Sequence, residues 1–165
     1  MQITETKLKG CYIIEPTIFG DDRGYFFESF NKIKFKELTG IEIEFIQDNE
    51  AFSNRGVLRG LHFQKGEFAQ AKLVRVVKGK VLDVAVDIRP SSKTYGRYFS
   101  CILSEQNKKQ LFVPRGFAHG YSVLEDNTIF VYKCDNYYQP KSEGGIRYND
   151  LTLEIDWMLS ENEII

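Results

Sequence analysis

Short runs rich in valine, isoleucine, phenylalanine and tyrosine recur along this chain, each closed by a turn signal, and that rhythm constrains the fold more than any other feature. The runs occupy residues 11–14, 25–30, 43–46, 57–63, 71–77, 81–88, 97–103, 110–113, 118–124, 129–134 and 151–155. Between them stand Gly20-Asp21-Asp22-Arg23-Gly24, Lys78-Gly79, Arg89-Pro90-Ser91-Ser92, Pro114-Arg115-Gly116 and Pro140-Lys141-Ser142-Glu143-Gly144-Gly145. Branched and aromatic side chains suit a half-buried pleated surface, and glycine, proline and aspartate supply the reversals. Strands at this spacing predict an all-β antiparallel sandwich or barrel, the jelly-roll group included. Only residues 32–38 have helical character, with Asn31 as N-cap, which places one short helix at the rim. No repeat, low-complexity tract or linker interrupts the 165 residues, so 1–165 reads as a single domain, long enough to bury a core.

The turn at Lys78-Gly79 supports a more detailed expectation. If those two residues close a hairpin, Val77 faces Lys80, Val76 faces Val81 and Val74 faces Asp83. Alternation then puts Lys72, Val74, Val76, Val81, Asp83 and Ala85 on one face, with Lys72 and Asp83 as diagonal neighbours about 7–8 Å apart. A charge pair among valines is costly to bury unless the charges satisfy each other. Lys72 therefore belongs either to a solvated outer face or to an apolar barrel, where its cation stabilises a developing negative charge.

Composition removes several function classes. With 22 basic and 23 acidic residues there is no global field to attract nucleic acid or an anionic membrane, so an anionic ligand must be met by a local cluster. No stretch approaches the ~18 apolar residues of a membrane span, and Met1-Gln2-Ile3-Thr4-Glu5-Thr6-Lys7 lacks the apolar run of a secretory signal, so a cytoplasmic location is expected. Cys11, Cys101 and Cys134 are odd in number and set among apolar residues, which reads as packed thiols rather than disulfides or a zinc site. The two histidines, His62 and His119, cannot build a three-histidine metal centre; a site of two histidines and one carboxylate is the formal alternative, and no metal is expected.

Three segments hold residues that can carry chemistry. Arg59 and His62 have opposite parity in a regular strand, but Gly60 between them is a natural bulge position that would turn both toward one pocket. His62 is then either a hydrogen-bonded core histidine or a general base. Phe117, His119 and Tyr121 share one face, as do Phe130 and Tyr132, with Tyr137-Tyr138 close behind. Such aromatics are either core, or a hydroxyl at a barrel mouth acting as an acid while a neighbouring ring stacks on a sugar or base. Arg23 is a solvated turn residue or, with Arg59 and Lys72, part of a phosphate clamp.

Taken together these segments resemble the dTDP-4-dehydrorhamnose 3,5-epimerase family, a metal-free branch of the cupin jelly rolls. The resemblance runs from about Leu8 to Trp157 and rests on FGDDRGYFFES, FIQDN, GVLRGLHFQ, QAKLVRVVKGKVLDVAVDIR, YG, LSEQNKKQLFVPRGFAHGY, YKCDNYYQPKSEGGI and ND ahead of Ile155-Asp156-Trp157. It implies a cupin-like double-stranded β-helix with short peripheral helices. It also implies a cofactor-independent isomerase acting on a dTDP-4-keto-6-deoxyhexose. The configuration is inverted at the two carbons beside the ketone, because the ketone acidifies those C–H bonds by delocalising the carbanion as an enolate.

By resemblance His62 is the base, Lys72 stabilises the enolate oxygen, Tyr132 returns a proton from the other face and Asp83 orients Lys72. Arg23, Arg59 and His119 match residues at or near the diphosphate. Gln47, Asn49, Phe26, Glu28 and Tyr138 match positions that hold the nucleotide, and Glu143 matches a further substrate contact. The family forms homodimers with exchanged N-terminal strands, which would send Arg23, Phe26 and Glu28 to the neighbouring subunit's site. In the family a Ser-x-Lys-Asp segment follows, whose Asp pairs with the base histidine. Here Glu163 is the candidate replacement for that Asp and Asn162 for the Lys, the alternative being a His62 without its carboxylate. The rival readings are an epimerase acting at C3 or C5 alone, a ketoisomerase of related fold, or a non-catalytic cupin that binds nucleotide sugars.

Overall fold

A computed structural model describes residues 1–165. In chain order the elements are β1 (Gln2–Glu5), β2 (Tyr12–Glu15), β3 (Ile18–Asp21), β4 (Gly24–Phe27), α1 (Lys32–Thr39), β5 (Gln47–Ser53), β6 (Leu58–Gln64), β7 (Lys72–Lys78) and β8 (Lys80–Asp87). They continue with β9 (Tyr98–Ser104), β10 (Gln110–Val113), β11 (Phe117–Val123), β12 (Thr128–Cys134) and β13 (Glu143–Gly145), and short 3-10 turns lie at Gly66–Phe68, Pro140–Ser142 and Glu161–Glu163. Two antiparallel sheets, ordered β1-β2-β10-β7-β12-β5 and β13-β6-β11-β8-β9, face each other as a jelly roll, and the β3-β4 hairpin stands apart from both. No helix is long and apolar enough to cross a membrane.

Alternation along the strands builds the core. Val74 and Val76 of β7, Leu111 and Val113 of β10 and Phe130 of β12 meet Val81 and Ala85 of β8, Phe117, Tyr121 and Val123 of β11 and Leu103 of β9. The outer faces are covered too. Leu82, Val84 and Val86 lie under Trp157, Leu153 and Ile155, which explains why β8 is an unbroken buried run rather than an alternating one. On the outer face of the other sheet, Phe35 of α1 packs on Ile14, Leu73 and Phe112. That helix begins where expected: the Asn31 side chain accepts from the amides of Ile33 and Lys34, and Gly40, at φ 74°, ends it.

Three expectations are corrected. Lys78-Gly79 does not close a hairpin: β7 pairs with β10 and β12, β8 pairs with β11 and β9, and the two residues turn the chain from one sheet to the other. Gly79 is required at this corner, since its φ is 79° and a Cβ would lie 2.2 Å from Thr128 Oγ1. Val74, Val76, Val81 and Ala85 do share one interior, but across the sandwich rather than along a ladder. Residues 43–46 and 151–155 are not strands. Their apolar side chains pack irregular segments onto the outer faces, which satisfies burial without a ladder.

Strands β1, β3, β5 and β13 carry no hydrophobic run that marks them in the sequence. The case of β5 is instructive, because Asp48, Glu50 and Phe52 point outward while Gln47, Asn49 and Ala51 point into a cavity rather than into core. A strand whose inner face lines a polar site has no apolar stripe.

Candidate active site

Between the sheets lies a cavity of about 550 Å³, walled by Arg59, His62, His119 and Tyr121 on the β6-β11 side and by Asn49, Lys72, Phe130 and Tyr132 on the β5-β12-β7 side. At Asn49, His62, Lys72 and Tyr132 it meets a second hollow of about 320 Å³, walled further by Gln47, Gln64, Gln70, Tyr138 and Glu143.

A bulge aims the first wall. His119 pairs with His62 and Tyr121 with Arg59, so β6 carries one residue more than β11 between those pairs, and Arg59 and His62 turn to the same cavity. The bulge depends on two glycines in contact. Gly60 has φ 129°, and a Cβ on it would lie 2.5 Å from Gly120 Cα and 2.9 Å from the His119 carbonyl oxygen. A Cβ on Gly120 would lie 2.7 Å from the Arg59 carbonyl oxygen.

Lys72 opens β7 opposite Cys134, with its Nζ 5.5 Å from the centre of the Tyr132 ring. Burial pulls its ammonium below the usual lysine range, and the neighbouring Cys134, Asp83 and Glu143 offset part of that shift. Asp83 does not orient this lysine. It is fully buried, and its two oxygens stand 3.0 and 3.1 Å from His119 Nε2. The reason is topological: Asp83 and His119 are diagonal neighbours on adjacent strands of one sheet, whereas Lys72 belongs to the facing sheet. Burial also raises the Tyr132 hydroxyl above the usual phenol range, Cys134 adds to the rise and Arg59 opposes it, so the phenol keeps its proton at physiological pH.

The second hollow is held by a relay. The Tyr138 hydroxyl donates to Glu143, and its amide donates to Gln47 Oε1 at 3.1 Å. Gln47 Nε2 donates to Asn49 Oδ1 at 3.1 Å, and Asn49 Nδ2 lies 3.7 Å from Cys134 Sγ. Gln64 and Gln70, which the sequence reading did not single out, fix the loop bearing Tyr138: Gln64 Oε1 accepts from the Gln139 amide at 3.0 Å, and Gln70 Nε2 donates to the Asn136 carbonyl at 2.8 Å. The parity of Gln64 with His62 was the available signal.

Other predicted residues are not gathered here. Arg23, with 90% of its side chain exposed, pairs with Asp21 at 2.5 Å on the β3-β4 hairpin, and Phe26 beside it is 70% exposed. Glu28 binds Lys34 at 2.9 Å and Asn31 at 3.1 Å. Within one chain, therefore, Arg23 does not join Arg59 and Lys72. Nor does Glu163 serve His62. It binds Arg55 at 2.7 Å and closes a capping box with Ser160, which holds its carboxyl at about 2, chiefly through the Ser160 amide and then Arg55. His62 itself is exposed to the cavity. No three His, Cys, Asp or Glu side chains stand close enough together to hold a metal ion, and all three cysteines are free thiols.

The arrangement sets an imidazole on one wall against a neutral phenol on the opposite wall, with a partly desolvated ammonium beside the phenol. Such a set removes a proton next to a carbonyl, stabilises the resulting oxyanion and returns a proton to the other face. Known proteins share this fold along nearly the whole chain. The family model described as dTDP-4-dehydrorhamnose 3,5-epimerase matches residues 5–165. The dTDP-4-dehydrorhamnose 3,5-epimerase of Escherichia coli strain K12 is 52% identical over 95% of this chain and 85% of its own. Among solved structures, the dTDP-4-dehydrorhamnose 3,5-epimerase of Elizabethkingia anophelis is 55% identical with a TM-score of 0.96, over 100% of this chain and 90% of that one. The dTDP-6-deoxy-D-glucose-3,5-epimerase of Legionella pneumophila, solved with dTDP-4-keto-L-rhamnose, is 51% identical with a TM-score of 0.93, over 97% and 85%. A match of this extent, over a site assembled from both sheets, places the chain in the dTDP-4-dehydrorhamnose 3,5-epimerase family.

Proposed function

We propose that this protein converts dTDP-4-dehydro-6-deoxy-D-glucose to dTDP-4-dehydro-L-rhamnose by epimerising the carbons on either side of the C4 ketone. The observation that carries this reading is the placement of His62 and Tyr132 on opposite walls of one cavity, with Lys72 beside Tyr132. His62 takes the proton from the carbon next to the ketone, and the electron pair of that C–H bond moves to the C4 oxygen as an enolate. The Lys72 ammonium stabilises that oxygen. Tyr132 then delivers its proton to the opposite face of the carbon, and the electron pair returns from the oxygen. Repetition at the second carbon completes the inversion. The ketone itself delocalises the charge, so the steps as written need no redox cofactor.

In this reading Tyr138, Gln47, Asn49 and Glu143 hold the nucleotide, and Arg59 and His119 lie toward the diphosphate. Arg23, Phe26 and Glu28 belong to the partner's site in a homodimer with exchanged N-terminal strands. The detached β3-β4 hairpin supports this, since Phe19 is 63%, Tyr25 60% and Phe26 70% exposed in the single chain. A cytoplasmic location, the compartment expected from the sequence, belongs to the same reading.

Incubation in D₂O with dTDP-4-dehydro-6-deoxy-D-glucose tests the function. Deuterium at both C3 and C5 is expected, and His62→Ala should abolish it while leaving dTDP binding intact. Deuterium at one carbon only replaces the reading with a single-site epimerase. Binding without incorporation leaves a nucleotide-sugar-binding protein. Sedimentation of the full chain checks the dimer.

A further inference from the structure

Tyr121 has no role in the reaction as derived, yet its placement is that of a ligand-binding group. It lies on β11 with Arg59 and Asp83 as its cross-strand neighbours. Its ring stacks on Phe130 at 4.0 Å and 20° between planes, which leaves it little freedom to turn. The residue is only 5% exposed and borders the inner cavity. Its hydroxyl makes no hydrogen bond within the chain, while no fully enclosed side-chain nitrogen or oxygen of the protein lacks a partner, so the hydroxyl opens on the cavity.

Burial raises this phenol far above its ordinary range, with Tyr132 and Asp83 adding to the rise and Arg59 opposing it, so its proton is in place at physiological pH. A phenylalanine would fill the core equally well. A hydroxyl that opens on a cavity and has no intramolecular acceptor donates to whatever fills that cavity, water in the free protein and the ligand once it is bound. The Tyr138 hollow, more exposed, suits the flat base, and the Lys72 ammonium already serves the ketone oxygen. The inner cavity is left for the remaining sugar and phosphate oxygens.

We infer that the Tyr121 hydroxyl donates a hydrogen bond to an oxygen of the bound sugar nucleotide, on the sugar or on the diphosphate, and so acts as a further binding and specificity residue of this site. The inference rests on the function proposed above.

Tyr121→Phe keeps the ring and its stacking on Phe130, and an unchanged melting temperature verifies the fold. With dTDP-4-dehydro-6-deoxy-D-glucose, kcat/KM for C3 and C5 exchange should fall roughly tenfold, the scale of one lost hydrogen bond. If dTDP affinity, measured by calorimetry, is kept, the acceptor is on the sugar; if it falls by a similar factor, the acceptor is on the diphosphate. Wild-type values of both quantities in the variant would overturn the inference and leave the hydroxyl to cavity water. A wild-type protein that binds dTDP but shows no exchange would instead refute the epimerase reading, with the dTDP comparison still deciding whether Tyr121 meets the diphosphate.

Discussion

At the residue scale, the site separates two buried charges that the sequence had paired. Asp83 belongs to His119, so the two should be energetically coupled and Asp83 with Lys72 much less so. We expect Asp83→Asn to lower stability by about 1.5–3 kcal/mol, the cost of weakening a hydrogen bond that involves a charged group. In a double-mutant cycle read by urea unfolding, Asp83 and His119 should couple by more than about 0.5 kcal/mol. Additive effects would refute the pairing of Asp83 with His119. The lysine makes a separate prediction. Its folded pKa is depressed by burial, so its charge opposes folding at every pH below the unfolded value, most fully below the folded one. Lys72→Met should therefore gain about 1 kcal/mol at pH 7 while losing activity. In the proposed mechanism the protonated form is needed for the enolate, so the alkaline limb of kcat/KM should fall below the usual lysine value of about 10.4.

At the scale of elements, the bulge on β6 is what brings Arg59 and His62 to one cavity, and it depends on contact between Gly60 and Gly120. An alanine at Gly60 would collide with backbone, which cannot swing aside as a side-chain tip can. Gly60→Ala should cost about 3 kcal/mol or more in chemical denaturation, and the residual folded protein should lose exchange with its altered register. The opposite parity of Arg59 and His62, with a glycine between, made this bulge legible in advance. The corner at Gly79 was not, because a two-residue turn between apolar runs looks the same whether the next strand pairs with the last or leaves for the facing sheet.

At the scale of the whole molecule, the Asp87 carboxylate ties the end of β8 to the 89–94 loop and the N-terminal segment. It is fully buried and accepts from Arg89 at 2.7 and 2.9 Å, from Ser92 at 2.5 Å and from Thr94 at 2.6 Å. Arg89 in turn reaches the Lys9 carbonyl at 3.0 Å and lies over the Phe117 ring at 4.6 Å. Burial alone would raise this carboxyl, but the Arg89, Ser92 and Thr94 hydrogen bonds outweigh it and hold it far below the usual range. A depressed folded pKa contributes stability that is complete above the ordinary value near ~3.9 and is lost as pH falls toward the folded one. Asp87→Asn should cost about 3 kcal/mol at pH 7 by urea unfolding, and its difference from wild type should shrink below pH ~4.

The sequence by itself determined the all-β class, most strand positions, the Asn31-capped helix and several of the residues facing the cavity, Arg59, His62, Lys72 and Tyr132 among them. Each follows from local chemistry: alternation, turn residues, caps and the ordered motifs of the family. Only the tertiary structure decided which sheet each strand joined, that the irregular segments around Ile43 and Trp157 cover the outer faces, and which acid serves which base. Those choices depend on pairing between residues far apart in the chain, where several partners satisfy the same local pattern and the packing of the whole selects one. So Glu163, placed near His62 by motif order, is held by Arg55 and Ser160, and Asp83, placed beside Lys72 by parity, serves the histidine across its own sheet.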